Sequence, residues 1–184
     1  MIEIMSRNLI ALMSDIPVRE SRFADGAFLF HRDDPVRVVH YVVEGVVHLV
    51  RYQRTGGMII LQRALPGAFL AEASLFADRY HCDAIAIGTT RTLVRDRRFV
   101  RQRLAEDTDH AEAWVAYLGL EIQAARLRAE ILSLKTVAER LDAWLAVNEG
   151  GLPPKGERKT LAAEIGTSPE ALYREIAKRR PTCT

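Results

Sequence analysis

Apolar and polar residues alternate with a period of two between Val18 and Asp96, and turn signals interrupt the alternation at short intervals. The run from Met58 to Leu65, for example, ends at Pro66-Gly67. Short alternating runs separated by Gly and Pro turns are typical of antiparallel strands. The pattern predicts about seven or eight strands arranged as a sandwich or an antiparallel jelly roll.

The period changes between about Asp109 and Ser133, where apolar residues recur in steps of three and four. Six residues form this seam: Val115, Leu118, Ile122, Ala125, Ala129 and Leu132. Because this is the a/d spacing of a coiled coil, we predict a long helix that pairs with the same helix of a second copy. A second stripe is predicted to pack on the helix's own subunit, and it contains Leu120, Leu127, Ile131 and Leu134. The alternative is a core helix of a monomer.

A separate helical pattern begins after Leu134. Thr136 and Glu139 have the spacing of a capping box, which predicts a helix start. Residues 148–154 contain Gly-Gly and Pro-Pro and therefore predict a loop. The fold class we expect is α+β, with two domains. Residues 1–134 would form a jelly roll with the long helix, and residues 135–184 a small all-helical domain, with a hinge near Leu134.

Residues 159–176 have the pattern of a helix-turn-helix. Gly166 tolerates the positive φ that a tight turn needs. Ser168 is suited to cap the second helix, and Pro169 would occupy its first position, where a missing N–H costs nothing. The predicted core residues are Leu161, Ile165, Leu172 and Ile176. The pattern favours a helix-turn-helix that binds and reads DNA (the reader), and a plain helical hairpin is the alternative.

Composition limits the possible classes of protein. The net charge is only +2, so no general attraction to nucleic acid is indicated. No apolar run is long enough to predict a membrane span. The N-terminus lacks the basic lead of a signal peptide and instead suggests an amphipathic helix ending before Pro17. Two cysteines are too few for a disulfide scaffold, so we expect a cytoplasmic protein.

Two stretches carry candidate chemistry. The segment Phe69–Phe76 has helical composition and predicts a short inserted helix, whose free N–H groups would suit an anion. The adjacent residues His81, Cys82 and Asp83 leave open a metal or haem site, or a redox-sensitive thiol. Because neighbouring strand residues point to opposite faces, a shared metal is disfavoured. No nucleophile, base and orienting group stand together in the sequence, so we predict no enzyme, metal or cofactor.

These features together resemble the CRP/FNR family of bacterial transcription regulators. The matching stretches are Tyr41–His48, Gly56, Pro66-Gly67, Ala71–Phe76 and Asp83-Ala84. The resemblance implies a cyclic-nucleotide-binding-like sensor domain, a dimerisation helix and a helix-turn-helix. It also implies a homodimer that binds an inverted repeat in double-stranded DNA, with RNA polymerase as a further candidate partner and no membrane association.

The residues that hold a cyclic nucleotide in this family are mostly replaced here. Glu72 matches the ribose-binding glutamate, but Cys82 and Asp83 stand where the family's Arg and Ser hold the phosphate. Because a carboxylate repels a phosphate, we predict an effector other than cyclic AMP. The candidate pocket residues are Ala71, Glu72, Ala73, Ser74, Cys82, Asp83, Ala125 and Arg126.

The family's reading motif is matched by Ser168, Glu170 and Arg174. Arg suits the guanine edge, and Glu can accept from the cytosine amino group. The candidate DNA contacts are Thr167, Ser168, Glu170, Tyr173, Arg174 and Lys178, and Arg179 and Arg180 are further phosphate candidates. The family continues with a β-hairpin wing, for which few residues remain here, so a reader without a full wing is expected.

Three alternatives stay open at this point. A homodimeric, DNA-binding regulator is the first. The second is a regulator with a vestigial reader whose sensor domain acts through a protein partner. The third is a jelly-roll enzyme, which lacks a catalytic constellation. A cluster of arginines between residues 91 and 103 is interpreted as a solvated basic face rather than a DNA or protein contact.

Overall fold

The computed structural model describes residue 10 and residues 14–54, 56–70, 72–148 and 151–179. The chain forms two compact units, one ending at Glu121 and the other beginning at Ile122. Of the predicted N-terminal helix only Ile10 is described, and it packs against the core of the first unit. The prediction that the helix-turn-helix lacks a full wing depends on residues 180–184. These residues lie outside the described residues, so it stays a prediction.

The first unit is built on one six-stranded sheet. Its strands are β1 (Val18–Phe23), β2 (Phe28–Phe30), β3 (Val38–Tyr52), β4 (Met58–Ala64), β5 (Phe69–Leu70) and β6 (Asp83–Asp96). The main path runs β1-β6-β3-β4, while β2 pairs with β6 and β5 pairs with β3. Every pairing is antiparallel. The predicted antiparallel jelly-roll class is confirmed.

Two strands are longer than predicted. The turn signal at Glu44-Gly45 does not end β3, because the strand continues through it with shifts of register against β6. Gly45 has φ +83°, and a Cβ at this position would lie 2.5 Å from Thr90 Oγ1. Only glycine fits this close approach without strain. In β3 and β6 two pairs of predicted strands merge, and with the unpredicted strand β5 the described residues form six strands instead of seven or eight.

The predicted helix at residues 69–76 is wrong in its first part. Phe69 and Leu70 form β5 and pair with Tyr41 and His40 of β3. Only Glu72–Ser74 is helical, as a single 3-10 turn. Such a short turn does not supply the anion-binding helix terminus that the composition suggested.

The long helix is anchored to the sheet by two aromatic residues that the apolar stripes did not identify. After α1 (Arg97–Glu106), helix α2 runs over Thr108–Ser133. Its Trp114 and Tyr117 are buried, and their ring centroids lie 5.5 and 5.4 Å from that of Phe69. Leu118 packs against the same cluster. Trp114 and Tyr117 thus hold the helix on the first unit. The second apolar stripe, which was expected to make this contact, contains neither residue.

The second unit combines the C-terminal part of α2 with α3 (Val137–Val147), α4 (Arg158–Glu164) and α5 (Pro169–Lys178). The predicted capping box is present at the start of α3. One apolar core contains Ile131, Leu141, Leu161, Ala162, Ile165, Leu172 and Ile176. Because Ile131 belongs to α2, the end of the long helix and the small helices share this core. The predicted boundary between the two domains at residue 134 stays a prediction.

Candidate functional site

A small cavity opens beside the 3-10 turn of the first unit. Its open volume is about 190 Å³, including the solvent at its mouth. The lining residues are Phe30, Leu49, Glu72, Ala73, Ser74, Tyr80, His81 and Cys82. Four of them belong to the predicted pocket set, and Phe30, Leu49, Tyr80 and His81 do not.

Glu72 is the acidic residue among those that line this cavity. The residue is 9% exposed, and its Oε2 has no hydrogen-bond partner among the described residues. Burial raises the pKa of this carboxyl from 4.5 to about 7, and the charge of Glu121 adds to the rise. Loss of water around a carboxylate favours its neutral form. Near neutral pH the group therefore exchanges a proton readily and can either accept or donate a hydrogen bond.

A polar network connects the cavity side of the sheet to α2. The backbone N–H of Phe69 donates to the Tyr117 hydroxyl oxygen at 3.0 Å. Gln62 Nε2 donates to Glu121 Oε2, also at 3.0 Å. Burial, followed by the charges of Glu121 and Glu72, raises the pKa of the Tyr117 phenol. The charge of Glu72 therefore acts on Tyr117 of the long helix.

The three residues His81, Cys82 and Asp83 do not converge on one ion. His81 Nδ1 lies 3.2 Å from Ser74 Oγ. Burial raises the pKa of the Cys82 thiol to about 11, so the thiol stays protonated and is a poor nucleophile. Asp83 Oδ1 accepts the backbone N–H of Arg32 at 3.0 Å. A redox-sensitive thiol and a shared metal are both disfavoured by this geometry.

The other predicted pocket residues are placed as follows. Ala71 lies outside the described residues. Asp83 does not line the cavity, because its carboxylate caps the loop after β2. Ala125 and Arg126 are exposed on α2, in the second unit.

Two of the missed pocket residues, Phe30 and Leu49, belong to paired strands, while Tyr80 and His81 lie in the segment before β6. Tyr80 stacks on Phe30 with ring centroids 3.8 Å apart. The two residues are fifty positions apart in the chain, and no local pattern connects them.

Much of the seam on α2 is uncovered in the single chain. Val115, Ile122 and Leu132 are 66%, 51% and 40% exposed. Ala125 and Ala129 are exposed as well, while Leu118 is half-buried against its own subunit. An exposed apolar row of this length is typical of a surface that a partner covers.

The helix-turn-helix has the local geometry that its sequence predicts. Gly166 has φ +64°, and the backbone N–H of Thr167 donates to the Ala162 carbonyl at 2.8 Å. The Ser168 hydroxyl accepts the N–H of Ala171, and Pro169 stands in the first turn of α5. Leu161, Ile165, Leu172 and Ile176 are buried as predicted.

The outer face of α5 exposes the candidate base-reading residues. Glu170, Tyr173, Arg174 and Lys178 are all exposed. The pKa of the Glu170 carboxyl is held below its usual value by its own backbone N–H, by Ser168 and by the charge of Arg174. Glu170 is therefore ionised and can act as an acceptor.

Several candidate contacts also have roles within the protein. The Tyr173 hydroxyl donates to the Lys155 carbonyl at 3.3 Å. Arg179 pairs with Asp142 and Glu175, and it donates to the Ala138 carbonyl. The bonds to Asp142 and Ala138 hold the end of α5 on α3, so Arg179 is a structural residue as well as a phosphate candidate. Arg180 lies outside the described residues.

The basic cluster between residues 91 and 103 is largely engaged by its own unit. Arg91, Arg98 and Arg103 form salt bridges with carboxylates. Arg97 donates to two backbone carbonyls, and Arg101 lies 5.0 Å from the centroid of an aromatic ring. The interpretation of the cluster as a solvated basic face stays a prediction, and these bonds show that most of its arginines also have partners within their own unit.

Comparisons with known proteins agree with this architecture. Residues 20–107 match the cyclic nucleotide-binding domain family. A search of curated proteins found no match. FixK2 from Bradyrhizobium japonicum is a similar solved structure, with 21% identity, a TM-score of 0.77, and coverage of 89% of this chain and 84% of that chain.

Two further solved structures are regulators. CLP from Xanthomonas campestris, described as a c-di-GMP-responsive global regulator, has 18% identity and a TM-score of 0.70 over 94% of this chain and 90% of that one. The catabolite activator protein of Thermus thermophilus has 22% identity and a TM-score of 0.55 over 95% and 82%.

Residues 20–107 thus match the cyclic nucleotide-binding domain family, and the chain shares its fold with solved structures that include a transcriptional regulator of the CRP family. The resemblance drawn from the sequence motifs is confirmed. These neighbours are transcription regulators rather than enzymes. None of the helices in the described part of the chain is both long and apolar enough to span a membrane.

Proposed function

We propose that this protein is a homodimeric transcription regulator that binds DNA sequence-specifically and responds to an effector other than cyclic AMP. The observation that supports this proposal best is the exposed face of α5. It combines a capped helix start with an ionised Glu170 and an exposed Arg174 one helical turn later. The proposal includes a cytoplasmic location, since its target is DNA.

DNA reading by α5 rests on the chemistry of these two side chains. Among the described residues, no hydrogen bond or salt bridge engages Arg174, so its planar guanidinium is available to the O6/N7 edge of guanine. Glu170 lies on the same face and can accept from a cytosine amino group. Thr167, Ser168 and Lys178 flank this face and would contact phosphates. Tyr173 would add contact with the sugar-phosphate backbone.

Dimerisation rests on the uncovered seam of α2. Burying Val115, Ile122 and Leu132 against the same residues of a second chain would remove apolar surface from water, and the small Ala125 and Ala129 would let the helices approach. A two-fold arrangement presents two readers to half-sites about one helical turn apart, roughly 34 Å. An inverted repeat is therefore the expected site.

The proposal that cyclic AMP is not the effector rests on the cavity beside Glu72. Its open volume is about 190 Å³, and by the sequence resemblance Cys82 and the loop-bound Asp83 stand where the family holds the phosphate. Isothermal titration should show no binding at micromolar cyclic AMP. A heat signal that fits a micromolar Kd would refute this part of the proposal.

The DNA-binding part is tested by selecting duplexes from a random library with the full chain, followed by a gel shift on the selected DNA. Wild type should enrich an inverted repeat. The double variant Glu170→Ala, Arg174→Ala should lose at least about tenfold in affinity, since each bidentate base contact contributes about 1–3 kcal/mol.

The matched control is the double variant Asp78→Ala, Lys135→Ala, which removes one exposed acid and one exposed base outside α5. It should bind like wild type. Full affinity in the Glu170 and Arg174 variant would remove the base-reading assignment. Enrichment of no DNA by wild type would favour a vestigial reader with a protein partner.

A further inference from the structure

Arg140 of α3 donates to three backbone carbonyls from two separate parts of the second unit. Its Nε donates to the Leu134 oxygen at 2.8 Å. Its Nη1 donates to the oxygens of Ile165 and Gly166 at 3.2 and 2.9 Å. Leu134 directly follows α2, while Ile165 and Gly166 form the turn of the helix-turn-helix. One guanidinium therefore bridges the end of the long helix and the turn of the reader.

Helix ends explain why an arginine suits this position. The last carbonyls of a helix have no partner within the helix and carry partial negative charge. Helix α2 ends at Ser133 and α4 at Glu164, so both ends present such carbonyls to the same space. A guanidinium has five donors in a fixed plane and can serve both ends at once, which a lysine ammonium does less well.

Packing around the turn reinforces this link. A Cβ on Gly166 would lie 2.7 Å from Leu132 Cδ2 and 3.2 Å from Arg140 Nη1. The turn thus sits directly against the last turn of α2. Ile131, which precedes Leu132, is buried in the same core as Leu161 and Leu172 of the reader helices. Apolar contacts and hydrogen bonds therefore join the same two elements.

We propose that Arg140 is a positioning residue for DNA reading, a latch that fixes the reader on the C-terminal end of the dimer helix. The inference rests on the proposed function. Four seam residues, Ile122, Ala125, Ala129 and Leu132, lie in the same unit as the reader. The distance between two readers in a dimer is then set inside this unit, and Arg140 holds the joint that determines it.

The latch changes what is expected of the segment at Leu134. The sequence places a hinge there, yet the Leu134 carbonyl is held by the same side chain that holds Gly166. Bending at this point would break those bonds. The latch therefore opposes bending between the end of α2 and the reader.

The test measures how well the full chain discriminates between half-site spacings. The probe is a set of duplexes that carry the half-site enriched by wild type, as inverted repeats with spacers shortened or lengthened by one to five base pairs. The variants are Arg140→Gln and Arg140→Lys, and the matched control is Lys135→Gln, which removes a nearby exposed charge.

Arg140→Gln should lower the affinity ratio between the best and the altered spacers by about tenfold, the equivalent of one or two hydrogen bonds. Arg140→Lys should fall between it and wild type, and Lys135→Gln should match wild type. The dimer mass should be the same in all four proteins. An unchanged ratio in Arg140→Gln would overturn the latch, as would an equal loss of affinity for every spacer, which indicates a purely structural role.

Amide hydrogen exchange gives a readout that needs no DNA. Arg140→Gln should speed exchange at Ile165, Gly166 and Thr167 relative to wild type and Lys135→Gln, because the turn loses its tie to α2. Unchanged exchange would also overturn the latch. If wild type enriches no DNA while exchange does respond, the proposed function fails and the mechanical link stands.

Discussion

Replacing Glu72 by glutamine should remove a pH-dependent loss of stability from the sensor domain. Glu72 is buried, its Oε2 lacks a hydrogen-bond partner among the described residues, and its folded pKa is raised by burial and by Glu121. Below pH 4.5 both the folded and the unfolded chain carry the proton, so the group has no effect. Between pH 4.5 and about 7 the unfolded chain loses the proton first, so stability falls as the pH rises.

The magnitude follows from the two pKa values. A rise from 4.5 to about 7 corresponds to about 3 kcal/mol at about 1.4 kcal/mol per pKa unit. This destabilisation is fully present above pH 7. Glu72→Gln keeps the shape of the side chain without the ionisation, so it should be more stable than wild type by about this amount at pH 8. At pH 4 the two proteins should differ little.

The assay is urea unfolding at pH 4, 6 and 8, followed by the fluorescence of Trp114 in a Trp144→Phe background. Trp114 is buried in the first unit, so it reports on the domain that contains Glu72. Asp78→Asn, an exposed acid of the same domain, is the control and should show no such gain. If Glu72→Gln is no more stable than wild type at pH 8, or gains equally at every pH, the reasoning is refuted.

Three further predictions concern single sites. Burial lowers the pKa of His40 to about 4, so the contribution of His40 to stability should fall by about 3 kcal/mol as the pH drops from 6.5 to 4, and the stability of His40→Gln relative to wild type should rise by this amount in urea titrations. Gly45→Ala should cost about 3 kcal/mol or more in thermal unfolding, because the new Cβ would lie 2.5 Å from Thr90 Oγ1 at a positive φ. Ser168→Ala should lose about 1 kcal/mol with the cap on the Ala171 N–H, and unchanged stability would remove the cap's role.

The helix-turn-helix was predictable because its determinants are local. A glycine at the turn, a serine cap and a proline in the first helical turn act over a few neighbouring residues, and the structure shows all three in place. The capping box at Thr136 was predictable for the same reason. Arg140 was not, since its three acceptors belong to the ends of two other helices and are known only once those ends meet.

The lining of the cavity, unlike the helix-turn-helix, was only partly predictable from the sequence. The family motif identified Glu72, Ser74 and Cys82, whereas Phe30 and Leu49 reach the cavity through strand pairings that no local pattern specifies. Strand boundaries failed at Gly45 because a glycine signals a turn, while here it permits a close approach inside a long strand.

Sedimentation of the full chain, alone and with a duplex that carries the enriched inverted repeat, tests the central claim most directly. The account predicts twice the mass of one chain in the free protein, and two chains on each duplex. Ile122→Asp, which places a charge in the exposed seam, should sediment as a single chain, while Asp78→Asn should behave like wild type. Wild type that sediments as a single chain, or a dimer that Ile122→Asp leaves intact, would contradict the account.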